Sequence, residues 1–354
     1  MLSYPKFIFI FYLSATIVLA AVPPYGRLSV NNGKLLRGGS LWFSQWLTEF
    51  YSPNVVRAVK CTFNSNVIRA AIGPEANGYF DNLDQAVNAA TNGIYFVVDL
   101  HYGFQNCDKQ DEFEGFTNKA IEFFTRILGK FKGSPNLLLE LWNEPQCTWD
   151  KISEYHSKVL KAIRNIDSNV VCILGTPNAS SGPSSEVVSN PLRVSNTLYT
   201  MHWYAVKDQA HINSQYHLID NAIKNNIGVF VSEYGDADVT PGATVNIAAT
   251  TKILHFLDVR KISYMKWSFC NRDEVWSVIK PECGAGQINQ PECLSPSGQA
   301  FLKRFKNLKN GRLKSFFCKI CLSSKFYESI YLINFRSIVL NMYFISIENF
   351  LKYK

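Results

Sequence analysis

The sequence predicts an α/β protein built as a single (β/α)8 TIM barrel. Eight apolar, β-branched-rich runs end near Gly39, Arg69, His101, Glu144, Gly175, His202, Glu233 and Trp267, spaced 27 to 43 residues apart. Each run is followed by a helical pattern, and the spacing is that of one strand–loop–helix–loop unit. Eight near-equal alternating units imply a parallel sheet closed into a barrel. A chain of 354 residues, 47% apolar and 18% charged, can bury the core this needs. A doubly wound open sheet would instead require a Gly-rich phosphate loop. Its nearest candidate, Leu36-Arg-Gly-Gly-Ser40, lacks the G-x-G-x-x-G spacing.

The elements follow in order. The first run closes at Gly38-Gly39, and the second is Asn66-Val-Ile-Arg-Ala70. The third, Val98-Asp-Leu-His101, leads into a loop with Cys107 and the acidic stretch Asp108 to Glu114. Ala120, Ile121, Phe124, Ile127, Leu128 and Phe131 then recur at 3.6-residue spacing and predict a helix facing the barrel. The fourth run, Leu137-Leu-Leu-Glu-Leu-Trp-Asn-Glu-Pro145, places Glu140 and Glu144 on one face, and Pro145 holds Glu144 extended and stops the strand. Ser153 to Ile166 is helical, with Tyr155, Val159, Ala162, Ile163 and Ile166 on one stripe. The fifth and sixth runs reach Gly175 and Met201-His-Trp-Tyr204. In the seventh, Ile227-Gly-Val-Phe-Val-Ser-Glu-Tyr-Gly235, two-residue alternation puts Val229, Val231 and Glu233 on one face and aims Glu233 at the barrel axis. Tyr264-Met-Lys-Trp-Ser268 is the eighth.

The two ends of the chain differ from this body. Residues 1–21 read as a secretory signal, with Lys6 as the positive region, an apolar core from Phe7 to Val18, and small residues Ala20-Ala21 at the cleavage point. The apolar run is short for a transmembrane anchor. Residues 22–310 are the expected catalytic barrel. Residues 311–354 hold ten Phe or Tyr and no Pro, Trp, Asp or Ala, and are expected to be a tail outside it. That tail is either translated A/T-rich non-coding sequence or a membrane-surface helix over Ile330 to Leu351. It also carries +5 of the net charge of +8, so the body, at +3, has no strong basic footprint and no nucleic-acid partner is expected. Stable membrane anchoring is not expected either, and a secreted, extracellular monomer is.

Nine cysteines in a secreted chain imply disulfides whose connectivity stays open. Cys107 and Cys147, in successive loops, can meet; Cys283 and Cys293 can pair, as can Cys270 with either of them. Cys172 lies within an apolar strand and reads as a buried thiol. Cys318-x-x-Cys321 has no second half-site for a metal. Asn178-Ala-Ser180 is the one glycosylation sequon.

In a barrel of this kind the strands' C-terminal ends form the site. Five of the eight ends carry Arg69, His101, Glu144, His202 and Glu233, which packing alone does not explain. Two carboxylates at strand ends, 89 residues apart in sequence, are what acid/base chemistry on a glycosidic bond requires. Glu144 is expected to be a general acid and then base, with a pKa raised by burial and by the second carboxylate. Glu233 is the expected nucleophile, kept ionised by Arg69 and by Tyr234 or Tyr204, while Arg69 can also pair with Glu140. Asn143 is suited to a sugar hydroxyl beside the reacting carbon. His101 and His202 lack a spaced third ligand, so no metal and no cofactor is expected. The seven tryptophans, Trp42, Trp46, Trp142, Trp149, Trp203, Trp267 and Trp276, all fall near strand ends, as a cleft that stacks on sugar rings requires. Trp42 and Trp267 are the expected platforms; Trp142 and Trp149 are candidates for packing.

At these residues the sequence resembles glycoside hydrolase family 5, the retaining endo-β-1,4-glucanases, and looks most like secreted cellulases of bacteria and plant-parasitic nematodes. The resemblance spans roughly 23 to 309 and rests on the runs quoted above together with Ile173-Leu-Gly-Thr176. The pairing of Asn143-Glu144-Pro145 with Glu233-Tyr234-Gly235 is its most specific part. It implies that Glu144 is the acid/base and Glu233 the nucleophile. It also implies that Arg69, His101, Asn143, His202, Tyr204 and Trp267 line the point of cleavage, and that a β-glucan polysaccharide is the substrate. Asp99-Leu100-His101-Tyr-Gly departs from the family's usual Asp-Trp-His with a further polar residue, which leaves mannan, xylan or mixed-linkage glucan as alternatives. A catalytically silent glycan-binding barrel is the alternative from another class.

Overall fold

The computed structural model describes residues 23–308 except 33, 45, 74–82, 84–92 and 205–207. The signal at 1–21, the tail at 311–354 and the Cys318/Cys321 pair lie outside the described residues. Eight strands form a closed, all-parallel barrel in sequence order. They are β1 (Arg37–Leu41), β2 (Val67–Ile72), β3 (Tyr95–Leu100), β4 (Leu137–Glu140), β5 (Val171–Leu174), β6 (Thr197–Tyr204), β7 (Val229–Gly235) and β8 (Ser263–Phe269). Six described helices lie on the outside between strands or after the last: α1 (Pro53–Cys61), α2 (Gln110–Phe131), α3 (Trp149–Ile166), α5 (Gln209–Lys224), α6 (Ile247–Val259) and α7 (Pro296–Phe305), with the short α4 (Ser185–Ser189) between β5 and β6.

Alternation along the strands builds two cores. Ile68, Ala70, Phe96, Val98 and Leu139 face outward and join Phe113, Phe124, Ile127, Tyr155 and Val159 of the helices. Leu36, Val67, Tyr95, Val97, Leu138, Val171, Ile173, Phe230 and Met265 face inward and fill the lower barrel. The interior is thus a packed plug, as barrels of this class require. Above it the inward positions turn polar with Arg69, Asp99, Glu140, Thr200 and Ser232, all fully buried.

Three local expectations are corrected. The predicted helix over 120–131 begins ten residues earlier, at Gln110, so Gln110 to Glu114 are its first turns rather than loop. Asp111 and Glu112 in that first turn oppose the helix dipole favourably. β4 ends at Glu140, so Glu144 stands in the following loop and not on the strand's face. In β7 the outward residues are Val229 and Val231 and the inward one is Phe230. Ser232 also points inward, onto Glu140. Glu233 nevertheless reaches the interior, because the β7–β8 register shifts between Val231 and Tyr234 and the β6–β7 register between Thr200 and His202. Such an irregularity re-aims a side chain that strict alternation would turn outward.

The Cys107–Cys147 and Cys283–Cys293 disulfides are present, with Cα separations of 5.9 and 5.7 Å. Cys172 and Cys270 are buried free thiols, so Cys270 takes part in neither bond.

Candidate active site

Arg69 is the centre of the polar layer. Its Nε donates to Glu140 Oε2 at 2.6 Å, one terminal nitrogen to Glu233 Oε1 at 2.8 Å, and the other to Asn143 Oδ1 at 2.7 Å. The second nitrogen also lies 3.0 Å from Asp99 Oδ2. Four acceptors from three strands and one loop thus share one planar fork, a use for which arginine is suited and lysine is not. Burial pushes Glu140 upward, but the Arg69 charge and the His202 and Arg69 hydrogen bonds outweigh it and hold Glu140 down at about 2. Asp99, with one oxygen unpartnered among the described residues, goes the other way: burial raises it, only partly opposed by Arg69.

Glu233 is gripped on both oxygens, Oε1 by Arg69 and Oε2 by the Tyr204 hydroxyl at 2.8 Å. Burial, followed by the Glu233 charge, raises Tyr204 well above the ordinary range, so it keeps its proton and donates. The sequence left Tyr204 and Tyr234 as alternatives for this role. Tyr234 instead faces out and packs edge-on against Tyr264. Gly235 must be glycine here, since a β-carbon would sit 2.2 Å from the Tyr204 ring and 2.7 Å from Trp276.

His202 stands between the two glutamates. Its Nδ1 is 2.7 Å from Glu144 Oε1 and 3.5 Å from Glu233 Oε2, and its Nε2 is 3.2 Å from Ser232 Oγ. Burial disfavours its charge, but Glu233, Glu140 and Glu144 together raise it to about 10. Glu144, with 38% of its side chain exposed, therefore does not show the raised pKa expected of it. Burial does push it upward, but the hydrogen bond and charge of His202 pull it below its ordinary value.

Asn143 is buried. Because a guanidinium only donates, its carbonyl oxygen must face Arg69, leaving its amide N–H groups for a ligand. His101 Nδ1 is 2.6 Å from Asp99 Oδ2. Burial, then Arg69, lowers His101 to about 4, so its ring is neutral.

The tryptophans divide. His101 stacks on Trp267 at 5.4 Å and 8°. Phe43 contacts Trp42, Trp46, His101 and Trp267, so these rings form one aromatic wall. Trp46 is 62% exposed at its rim. Trp276 packs on Tyr204. By contrast, Trp203 points outward against Tyr216 and Phe256, and Trp142 and Trp149 are fully buried. Trp142 and Trp149 are packing residues, the reading left open for them, and the expectation that Trp203 faces the cleft is corrected. Sequence reading also missed Lys266 and Glu274. Buried Lys266 donates to Asp236 and to the Trp267 and Trp276 carbonyls at 3.1, 2.7 and 3.0 Å, tying the wall to the barrel rim. Glu274, raised by burial and hydrogen-bonded to Trp42, keeps one buried oxygen without a partner among the described residues. A lone Lys in an apolar strand and a Glu in a loop give no periodic signal.

One donor atom each from Glu144, His202 and Glu233 lie within 4.8 Å of one another, and these residue types can hold a metal.

A closed (β/α)8 barrel with facing glutamates and an aromatic wall at its C-terminal mouth defines a class, the barrel glycoside hydrolases. The chain belongs to the cellulase family, glycosyl hydrolase family 5, which it matches over residues 29–273. It is 29% identical over 318 residues to Endoglucanase A of Butyrivibrio fibrisolvens, covering 82% of this chain and 71% of that one. It is 30% identical over 285 residues to Endoglucanase Z of Dickeya dadantii, covering 74% and 63%. A solved structure from Cytophaga hutchinsonii superposes with a TM-score of 0.72 at 30% identity, over 81% of this chain and 96% of that one. The catalytic domain of Thermobifida fusca endoglucanase Cel5A has a TM-score of 0.69 at 24% identity over 78% and 92%, which shows the shared fold. These relatives are bacterial and do not bear on the likeness to nematode enzymes.

Proposed function

We propose that the protein is a secreted, retaining endo-β-1,4-glucanase in which Glu233 is the nucleophile and Glu144 the acid/base. The observation that carries the reading is the short gap between the two carboxylates, with an oxygen of each within 4.8 Å. Retaining enzymes hold their carboxyls about 5 Å apart, whereas inverting ones leave room for a water. In this mechanism a Glu233 oxygen attacks the anomeric carbon as the glycosidic C–O bond breaks and Glu144 protonates the departing oxygen. Water, deprotonated by Glu144, then displaces Glu233 from the sugar.

The other groups act around that centre. Arg69 and Tyr204 hold Glu233 in place, each donating to one of its oxygens. Asn143 offers its amide to the neighbouring sugar hydroxyl, and His101 and His202 bound the reacting ring. Trp42 and Trp267 stack on the glucan. The expected proton supply differs from the simple raised carboxylic acid, because His202 and Glu144 hold the proton as a pair whose titration belongs to both. Residues 22–310 act as one catalytic domain, without cofactor and as a monomer. The two disulfides fit an oxidising compartment. Among the described residues no helix is long and apolar enough to cross a membrane.

The test is a panel of carboxymethyl-cellulose, mixed-linkage glucan, xylan and mannan. It should show greatest activity on the first, with the β-anomer formed initially by NMR. Glu144→Gln and Glu233→Gln should each abolish it. An initial α-anomer would rule out retention, and wild-type inactivity across the panel would favour the glycan-binding reading.

A further inference from the structure

Between β5 and α4 three consecutive non-glycine residues, Asn178, Ala179 and Ser180, adopt left-handed backbone with φ of 55°, 56° and 56°. L-residues visit this region singly, and a run of three persists only where the surroundings over-determine it. The surroundings here are the loop that carries Glu144. Ala179 N–H donates to the Pro145 carbonyl at 3.1 Å, and the buried Ser180 hydroxyl donates to the Asn143 carbonyl at 2.5 Å. The same hydroxyl accepts from Thr176 N–H at 3.4 Å. Thr176 in turn anchors the turn to β6 through the Thr200 carbonyl and accepts from Gly182 N–H. Just before the turn, Gly175 lies so close to the Trp142 carbonyl that a β-carbon would sit 2.4 Å from it.

The turn therefore touches the backbone of Trp142, Asn143 and Pro145, on both sides of Glu144. That matters because β4 ends at Glu140, and no sheet hydrogen bond fixes the peptides of residues 143–145. On the opposite side Asn143 N–H donates to the Leu100 carbonyl at 3.2 Å.

We infer that the left-handed turn is a positioning device for the acid/base, with Ser180 as its positioning residue. Its hydroxyl sets the Asn143–Glu144 peptide and so the reach of the Glu144 carboxyl toward the departing oxygen. The inference rests on the assignment of Glu144 as acid/base.

The test compares Ser180→Ala with wild type on two substrates. Cellotetraose needs a proton on its leaving group; dinitrophenyl cellobioside does not. The expected result is a roughly tenfold fall in kcat/KM on cellotetraose, the scale of one misaligned hydrogen bond, with dinitrophenyl cellobioside within about twofold of wild type. If the alanine variant does not fold, Ser180→Gly suits the left-handed backbone and still removes the hydroxyl. An equal fall on both substrates, or none on either, overturns the inference. Wild-type inactivity on both would instead sink the hydrolase assignment, and this inference with it.

Discussion

His202 Nδ1 lies 2.7 Å from Glu144 and 3.5 Å from Glu233, so one imidazolium bridges the two carboxylates proposed to do the chemistry. The proton needed by the leaving group is thus held by a pair rather than by an isolated acid. In His202→Gln, Glu144 must carry the proton alone, with burial raising it above its ordinary value but without a neighbouring imidazolium to hold the proton at high pH. The basic limb of the kcat/KM profile should then move to lower pH. An unmoved basic limb would exclude His202 from the proton reservoir.

The same groups set how stability depends on pH. His202 is raised from 6.5 to about 10, so its stabilisation is whole below 6.5 and is lost as pH rises through about 10. Glu140 is lowered from 4.5 to about 2, so its contribution is whole above 4.5 and is lost as pH falls through about 2. Urea unfolding should show stability rising from about pH 4 to 6.5, because buried His101 and His156 are lowered to about 4 and stay neutral in the folded state, and falling above 6.5, with His202→Gln flattening the alkaline side. A wild-type curve still rising through pH 9 would contradict the assignment.

Arg69→Met should cost about 3–5 kcal/mol, because it strands Glu140 and Glu233 in the barrel without their cation. Chemical denaturation measures it directly. A loss below about 1 kcal/mol would mean that neighbouring groups neutralise themselves.

Trp267→Ala and Trp203→Ala should separate binding from packing. Removing Trp267 takes away a proposed sugar platform and should raise KM for long glucans roughly three- to tenfold. Removing Trp203, which packs on Tyr216 and Phe256, should cost about 3–5 kcal/mol of stability and leave KM nearly unchanged. The opposite pattern would show that the wall is misassigned.

Reducing Cys107–Cys147, which closes a span of 40 residues, should lower stability by about 3–4 kcal/mol on chain-entropy grounds. The Cys107→Ser/Cys147→Ser double variant, unfolded in urea beside wild type, checks it.

The barrel was legible because a strand–helix repeat imposes a length on the sequence. The candidates Glu144, Glu233, Asn143 and His202 were legible because each lies near or just past a strand's C-terminal end; Arg69 instead sits mid-strand in β2, which runs on to Ile72, and was legible as a charge within an apolar run. What failed was orientation. Alternation assigned Val229 and Val231 to the face of Glu233, but a register shift next to Val231 leaves no mark in residue type. Trp203 sits one residue after His202 on the sixth strand and so points the other way, although its position in sequence is equally terminal. Glu144's lowered pKa comes from His202, a neighbour distant in sequence, and local burial alone predicts the wrong direction.

The shared fork of Arg69 has a consequence for how the chain reaches its working state. Its partners arrive from β3, β4, the loop after β4, and β7. A nascent or truncated chain that has not yet delivered β7 leaves the guanidinium without Glu233 and the mouth without its proposed nucleophile. Catalytic competence therefore doubles as an assembly checkpoint: a molecule that turns over substrate has brought residues 69 and 233 into register across the ring.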